Sequence, residues 1–142
     1  MRKIRRIEIG EVELYRETRL KSLRESPNAY SSKYDDAASR SEESWRSQVD
    51  ASAAGGDRAT FIMLDEHPVG LAALYRSENC PRDGELIQVW IAPEERGGSA
   101  AAELVEEIFR WAADNGFLRV RAEVMPGNSR ALRFFEKNGF TR

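Results

Sequence analysis

The sequence predicts an α/β protein in which a mixed β-sheet packs against helices. Three observations support this class. A strand-like segment followed by a helical one opens the chain. Two strand-like runs then flank a short polar turn, which is typical of an antiparallel hairpin. Further along, a strand, a long amphipathic helix and an alternating strand follow one another, which is typical of a right-handed parallel crossover. The expected order of elements is β-α-α-β-β-β-α-β-α.

The N-terminal third is expected to hold one strand and two helices. The first strand lies in Ile4–Ile9, where isoleucines stand among charged residues. Apolar residues then recur at helical spacing over Val12–Leu23, and Pro27 interrupts the pattern. Ser41 opens the second helix, which should end before Gly55.

The middle of the chain supplies three strands. Thr60–Leu64 and Val69–Tyr75 are strand-like, and the polar residues Asp65–Pro68 between them indicate a turn. Glu85–Ala92 is the next strand, and Pro93 ends it because proline cannot donate to a strand ladder.

The C-terminal third predicts a helix, a strand and a second helix. The first helix starts near Ser99 and has one apolar face; Asn115 and Gly116 are its stop signal. Leu118–Val124 alternates apolar and charged residues, with the apolar ones expected to face inwards. The last helix covers about Ser129 to Lys137.

Length and composition restrict the function classes. A chain of 142 residues is expected to form a single domain, residues 1–142. The net charge of −2, with both signs interspersed, provides no basic stripe for nucleic acid. The absence of an apolar signal or spanning segment predicts a cytoplasmic protein without a membrane partner. With Cys80 and His67 as the single members of their types, we expect neither a disulfide nor a metal site.

The segment between the strand Glu85–Ala92 and the helix that starts near Ser99 is the strongest functional signal. The first amides of a helix lack intrahelical acceptors and carry partial positive charge, so this junction suits a phosphate or pyrophosphate. Arg96 adds a positive charge, and the small residues let a ligand approach the backbone. An ordinary loop in which Ser99 caps the helix is the alternative. The residues are Arg96, Gly97, Gly98, Ser99, Ala100 and Ala101.

Together with a second segment, Asn128 to Phe140, this loop resembles the GNAT N-acetyltransferase superfamily. Arg96 and Ala101 fit the first and last positions of that family's pyrophosphate loop, (Gln/Arg)-x-x-Gly-x-(Gly/Ala). The second segment resembles the family's Asn-x-x-Ala-x-x-x-Tyr-x-x-x-Gly-Phe helix. The likeness is specific from Glu85 to Phe140 and looser in the N-terminal part.

Three features depart from the family pattern. Ser99 stands where the loop has its central glycine, which is expected to weaken cofactor affinity. Phe135 stands where the family has a tyrosine, which removes the usual proton donor. The family usually continues into at least one further strand beyond the last helix, and that strand is missing here. A shortened chain, a tail omitted from the sequence, or a partner chain that supplies the strand would each account for this.

The resemblance implies an enzyme that transfers the acetyl group of acetyl-CoA to a primary amine by direct attack. A lysine-like amine with a pKa near 10.4 is mostly protonated at neutral pH, at a cost of roughly 4–5 kcal/mol, so a base is useful. Glu85 is the candidate catalytic base, because the family often places a carboxylate on this strand. A solvated glutamate at a strand start is the alternative.

The resemblance also implies the cosubstrate site. The phosphate loop would hold the pyrophosphate, and the backbone of Val89, Trp90 and Ile91 would pair with the pantetheine arm; their side chains are expected in the core. Asn128 would bind the pantetheine amides or cap the last helix. Phe135 belongs to this site by position. We expect the side chains of Tyr30 and Tyr34 either to lie at the edge of the acceptor pocket or to pack against neighbouring residues. The remaining residues of the expected cosubstrate site are those of the phosphate loop: Arg96, Gly97, Gly98, Ser99, Ala100 and Ala101.

Other functions stay open at this point. A catalytically weak acyl-CoA-binding or regulatory domain would also fit Ser99, Phe135 and the missing strand. A nucleotide-binding domain fits poorly, because the loop lacks the Gly-Lys-Ser/Thr ending of a P-loop and the Rossmann spacing. The acceptor can be a small-molecule amine, a peptide N-terminus or a lysine. A homodimer is left open.

Overall fold

Five strands form one mixed sheet in the computed structural model, which describes residues 1–30 and 32–142. Their spatial order is β1-β2-β3-β4-β5. The first three pairs are antiparallel and the last, β4 with β5, is parallel, so the predicted mixed sheet with its hairpin and crossover is confirmed. The strands are β1 (Lys3–Arg6), β2 (Arg58–Asp65), β3 (His67–Arg76), β4 (Asp83–Ile91) and β5 (Arg119–Ala122).

Five α-helices accompany the sheet in the described part of the chain. Four of them were expected from the sequence, and Ser41 caps one by accepting from Ser44 N at 3.1 Å. The remaining one, α2, was not predicted because its five residues are too few to show helical periodicity. The helices are α1 (Val12–Glu25), α2 (Tyr34–Ala38), α3 (Glu42–Ala53), α4 (Ala100–Asp114) and α5 (Ser129–Lys137), with a 3₁₀ turn at Pro93–Glu95.

The core lies where helices cover the central strands. Ile62 of β2 and Leu71 of β3 are fully buried, as are Leu104 and Ile108 on the apolar face of α4. Helix α4 packs on β2, β3 and β4, whereas α3 packs on β2 and α1 packs on β3. Burial of the apolar stripe of α4, which the spacing predicted, fixes the crossover between β4 and β5.

Several expected details were wrong. Strand β1 ends at Arg6, and Ile9 beyond it is exposed. The hairpin turn is tighter than expected: Glu66 takes a positive φ of 67°, and His67 already begins β3. Leu118 is 69% exposed instead of inward, because the edge strand β5 begins only at the next residue.

Strand β4 changes its pairing halfway along its length. Parallel pairing with β5 runs from Asp83 to Leu86, which faces Ala122, and β4 then continues to Ile91 without β5 beside it. In the same stretch the β3–β4 register shifts, and Gln88 has a φ of 60°, as expected at a bulge. An open edge therefore lies along the second half of β4.

Candidate active site

The loop that follows β4 presents an open backbone surface. Gly97 takes a φ of 87°, a conformation that glycine adopts without steric cost. A Cβ added to Gly97 or to Gly98 would meet no heavy atom within 4 Å. A ligand can therefore come close to the main chain of both residues.

The N-terminus of α4 has amides without acceptors from its own cap. The first intrahelical bond runs from Glu103 N to Ser99 O, at 2.9 Å, so the amides of Ala100–Ala102 precede the helical ladder. Ser99 makes no side-chain cap; its hydroxyl donates to the Glu103 carboxylate instead. Ser99 thus occupies the N-cap position of α4 through its backbone, as the alternative expected, but its side chain leaves the first amides of the helix uncapped. A helix end of this kind suits an anion.

Arg96 connects the loop to the C-terminal end of α1. Its Nε donates to Ile91 O at 2.9 Å, and its Nη2 forms an ion pair with Glu25. Desolvation would raise the pKa of Glu25, but hydrogen bonds from Ser26, Trp90 and Arg96 hold that pKa below its usual value. The Arg96 charge thus stands beside the loop, balanced by a carboxylate.

A second arginine, missed in the sequence, also reaches the loop. Arg2 donates from Nη2 to Ser99 Oγ at 3.2 Å and to Glu103 Oε2 at 2.7 Å. Its Nη1 donates to Glu95 Oε1 at 3.0 Å. No sequence signal pointed to Arg2, because it lies just before β1, far along the chain from the loop that it contacts.

Of the β4 residues Val89, Trp90 and Ile91, the last two have the expected burial, whereas Val89 is only partly buried. The side chains of Trp90 and Ile91 are 2% and 7% exposed and belong to the core. The Tyr30 hydroxyl donates to Val89 O at 2.9 Å, so this tyrosine anchors the loop after α1 to the open half of β4. Desolvation raises the pKa of Tyr30 to about 12, so its hydroxyl keeps its proton at neutral pH.

Asn128, at the N-cap of α5, and Phe135, within α5, both have partners inside the protein. Asn128 caps α5, because its Oδ1 accepts from Ala131 N at 3.1 Å. Phe135 is 9% exposed, and its ring packs edge-on against Phe134 and Phe140 at centroid distances of 5.3 and 5.1 Å. Phe135 therefore provides an aromatic ring at the position of the family's tyrosine, without the hydroxyl.

Glu85 lies in the paired half of β4 and is half-buried. Its register partners are Tyr75 on β3 and Arg121 on β5. Directly opposed residues in an antiparallel pair project on the same face of the sheet, so Glu85 shares the face of Tyr75. Tyr75 in turn lines the cavity described next.

A cavity of about 730 Å³ lies between α1, α2, α3 and strands β2 to β4. Neither Tyr30 nor Tyr34 is among its lining residues in the described part of the chain, although Tyr30 stacks with the lining residue Arg19. Its walls combine aromatic rings with basic side chains. They include Tyr15, Trp45, Tyr75, Gln48, Gln88, Arg19, Lys33, Arg40, Arg58 and Asp36.

A hydrogen-bonded chain crosses this cavity and ends on β4. Gln48 Nε2 donates to the hydroxyls of Tyr15 and Tyr75, at 2.9 and 3.1 Å. The Tyr15 hydroxyl then donates to Gln88 Oε1 at 2.6 Å. Desolvation raises the pKa of Tyr15 far above neutrality, so the phenol remains a donor. Because Gln88 immediately precedes Val89, the cavity adjoins the open half of β4.

Residues 1–30 and 32–142 contain neither a cluster of metal ligands nor a membrane-spanning helix. No group of three or more His, Cys, Asp or Glu side chains there could hold a metal ion. No helix of these segments combines the length and the apolar composition that crossing a bilayer requires.

The fold and the site together define an α/β protein in which an open glycine loop at a helix N-terminus follows the same strand that borders a polar cavity. A sequence profile described as the acetyltransferase (GNAT) family matches residues 19–140. The chain belongs to this family, and the resemblance indicated by its two motifs is confirmed.

Individual relatives agree with this assignment. Uncharacterized N-acetyltransferases of Mycobacterium tuberculosis and Mycobacterium bovis are 42% identical over 76 residues, which cover 54% of this chain. The match spans about half, 47%, of the length of these curated relatives.

Solved structures show the same fold. A GNAT acetyltransferase from Streptococcus pneumoniae superimposes with a TM-score of 0.84 at 19% identity, covering 99% of this chain and 85% of that chain. The aminoglycoside N-acetyltransferase AAC(6')-Iy in complex with CoA gives a TM-score of 0.76 at 17% identity, covering 100% and 89%.

Proposed function

We propose that this chain transfers the acetyl group of acetyl-CoA to a primary amine by direct attack. One observation carries the proposal: the open half of β4 has the unblocked N-terminus of α4 at its end and a polar cavity beside Gln88. A thioester that lies extended along the open half of β4 can meet an amine that is bound in the cavity. The family supports the chemistry, and a structural neighbour described in complex with CoA supports the cosubstrate.

The loop and the open strand edge are the proposed cosubstrate site. The amides of Ala100–Ala102 would bind the pyrophosphate, with Gly97 and Gly98 allowing close approach. The backbone of Val89, Trp90 and Ile91 would run beside the pantetheine arm. Bound acetyl-CoA supplies an acetyl group activated as a thioester. Arg96 and Arg2 would contribute positive charge around the loop.

Positioning is expected to supply most of the rate. Holding two reactants in register can contribute roughly 7–11 kcal/mol, whereas a proton-transfer group typically contributes about 10²–10⁴-fold. We propose Glu85 as the group that accepts the amine proton, directly or through water, because it shares the sheet face of the cavity residue Tyr75.

The leaving thiolate needs no dedicated acid in this proposal. A thiol pKa near 8.5, by analogy with cysteine, makes the thiolate an acceptable leaving group, and water can protonate it afterwards. The packed ring of Phe135 would therefore shape the site and hold α5 without donating a proton.

A catalytically weak acyl-CoA-binding or regulatory domain is the second candidate. Phe135 without a hydroxyl and Ser99 at the glycine position favour it. Both candidates predict that acetyl-CoA stabilises the fold, but only the first predicts amine-dependent release of CoA.

The test measures free thiol released from acetyl-CoA with a panel of primary amines, alongside the melting temperature with and without CoA. Turnover that requires an amine supports the transferase. A CoA-dependent rise in melting temperature without turnover supports the binding domain.

The single-domain organisation and the cytoplasmic location remain predictions from the sequence. The sequence leaves a homodimer open.

A further inference from the structure

We propose that the acceptor amine also carries an anionic group, a carboxylate or a phosphate, which binds to Arg19 and the neighbouring arginines of the cavity. This inference rests on the proposed function, because it assigns the cavity to the acceptor. It goes further by naming the chemical class of that acceptor.

Arg19 is a buried cation without a counter-ion in residues 1–30 and 32–142. It lines the cavity and is only 6% exposed. Its one hydrogen bond in the described residues is long, 3.4 Å from Nη1 to Ser22 Oγ, and its guanidinium lies over the Tyr30 ring at 4.8 Å. A guanidinium has several N–H donors in a planar fork, so most of its hydrogen-bonding capacity is unused.

Two further arginines of the cavity are held in the same manner. The guanidinium of Arg40 lies over the Trp45 ring at 4.1 Å, and that of Arg58 lies over the Tyr75 ring at 4.4 Å. Stacking fixes the plane of each guanidinium. Arg40 also donates from Nε to Ser44 Oγ at 3.0 Å and from Nη2 to Ser44 O at 3.2 Å, which leaves its Nη1 for a carboxylate or a phosphate. The cavity thus holds three oriented guanidinium groups.

No carboxylate of the described residues forms an ion pair with Arg19, Arg40 or Arg58. Among the lining residues, Lys33 adds a fourth positive charge and Asp36 is the one acid. The chain as a whole has a net charge of −2, so this concentration of positive charge is local.

A buried charge is costly unless a partner compensates it, and proteins normally provide one. Here the described residues do not, and an anionic ligand in the cavity would supply the compensating charge. A basic cavity also concentrates anions and repels cations. An acceptor with several positive charges would place like charges together and is expected to bind poorly.

The test compares acceptors that differ only in the anionic group. Glucosamine 6-phosphate is paired with glucosamine, and α-amino acids are paired with their amides; the polyamine spermidine and an aminoglycoside represent cationic acceptors. We expect the anionic member of at least one pair to give a kcat/KM higher by about 30-fold or more, the scale of a buried charge pair.

Arg19→Met is the informative variant, with Arg19→Lys as the conservative one. Met retains an unbranched apolar stem, and removing an unpaired buried charge is not expected to prevent folding. Arg46→Met is the matched control, because Arg46 on α3 pairs with Glu42 and does not line the cavity. Arg19→Met should raise the acceptor KM and abolish the preference for the anionic member. Arg19→Lys should retain part of it, and Arg46→Met all of it.

A second measurement does not depend on turnover. With CoA present at saturation to occupy the proposed pyrophosphate loop, inorganic phosphate, compared with chloride at equal ionic strength, should raise the melting temperature of the native protein and of Arg46→Met but not of Arg19→Met. If no amine releases CoA, the transferase proposal fails, and this measurement alone decides the anion site. The inference is overturned if cationic acceptors are preferred, if both members of every pair react equally, or if phosphate stabilises all variants alike. It is also overturned if Arg19→Met raises the KM for acetyl-CoA and leaves acceptor preference intact, because the arginine would then serve the cosubstrate.

Discussion

Reversing the charge of Arg96 should abolish stabilisation by CoA. Arg96 stands at the loop before α4 and is paired with Glu25 at the end of α1. Arg96→Glu replaces that cation with an anion beside the amides proposed to bind the pyrophosphate. It also places two carboxylates together, so the ligand-free protein should be less stable by about 1 kcal/mol.

The expected magnitude follows from mass action. At a CoA concentration of 100 times the native Kd, binding stabilises the fold by about 2.7 kcal/mol, or roughly 5–10 °C in melting temperature for a chain of this size. A hydrogen bond to a charged group contributes about 1.5–3 kcal/mol, and reversal adds repulsion to that loss. A Kd raised by about 100-fold would leave about 0.4 kcal/mol, close to the limit of detection.

The assay is thermal unfolding at increasing CoA concentration for three proteins. Glu25→Gln is the matched control: it removes the partner of Arg96 without placing a negative charge at the loop, so it should keep a clear CoA-dependent shift. If Arg96→Glu shifts as much as the native protein, the pyrophosphate binds elsewhere and the reasoning is refuted.

The remaining predictions concern the base, the missing acid, a helix cap and pH. Glu85→Gln should lower amine-dependent thiol release about 10-fold or more with little change in CoA affinity; equal rates in both proteins at every pH would remove Glu85 from the mechanism. Phe135→Tyr should change turnover by less than about 10-fold, whereas Phe135→Ala should cost about 3–5 kcal/mol in denaturant unfolding through lost packing; a hundredfold gain from tyrosine would instead favour the weak or regulatory domain. Asn128→Ala should cost about 1 kcal/mol in the same measurement, because the amide of Ala131 loses its acceptor; no change would mean that α5 does not depend on its cap. The lowered pKa of Glu25 means that its contacts stabilise the fold above its unfolded pKa, about 4.3, and that this contribution is lost as pH falls through the lower folded pKa. Acid unfolding of Glu25→Gln should therefore depend less on pH below about 4.5, and identical profiles would contradict this.

Local sequence patterns predicted the elements that carry strong periodicity. The apolar stripe of α4, the hairpin of β2 and β3, and the stop at Pro93 all depend on neighbours within a few residues. Weak patterns failed: α2 is too short to show a period, and the outward position of Leu118 depends on where β5 starts to pair. Pairing is a property of two segments and cannot be read from one.

The mixed α/β class, the family motifs and the position of the loop Arg96–Ala101 could be predicted from the sequence, because each depends on residues close together in the chain. The surroundings of this loop are visible in the folded chain alone. The tertiary structure brings Arg2 to Ser99, ties Arg96 to Glu25, and assembles Arg19, Arg40 and Arg58 in one cavity. These contacts join segments that are far apart in sequence, and packing of helices on the sheet alone fixes their distances. The charge of the cavity, and with it the acceptor class that we propose, is therefore a property of the folded chain.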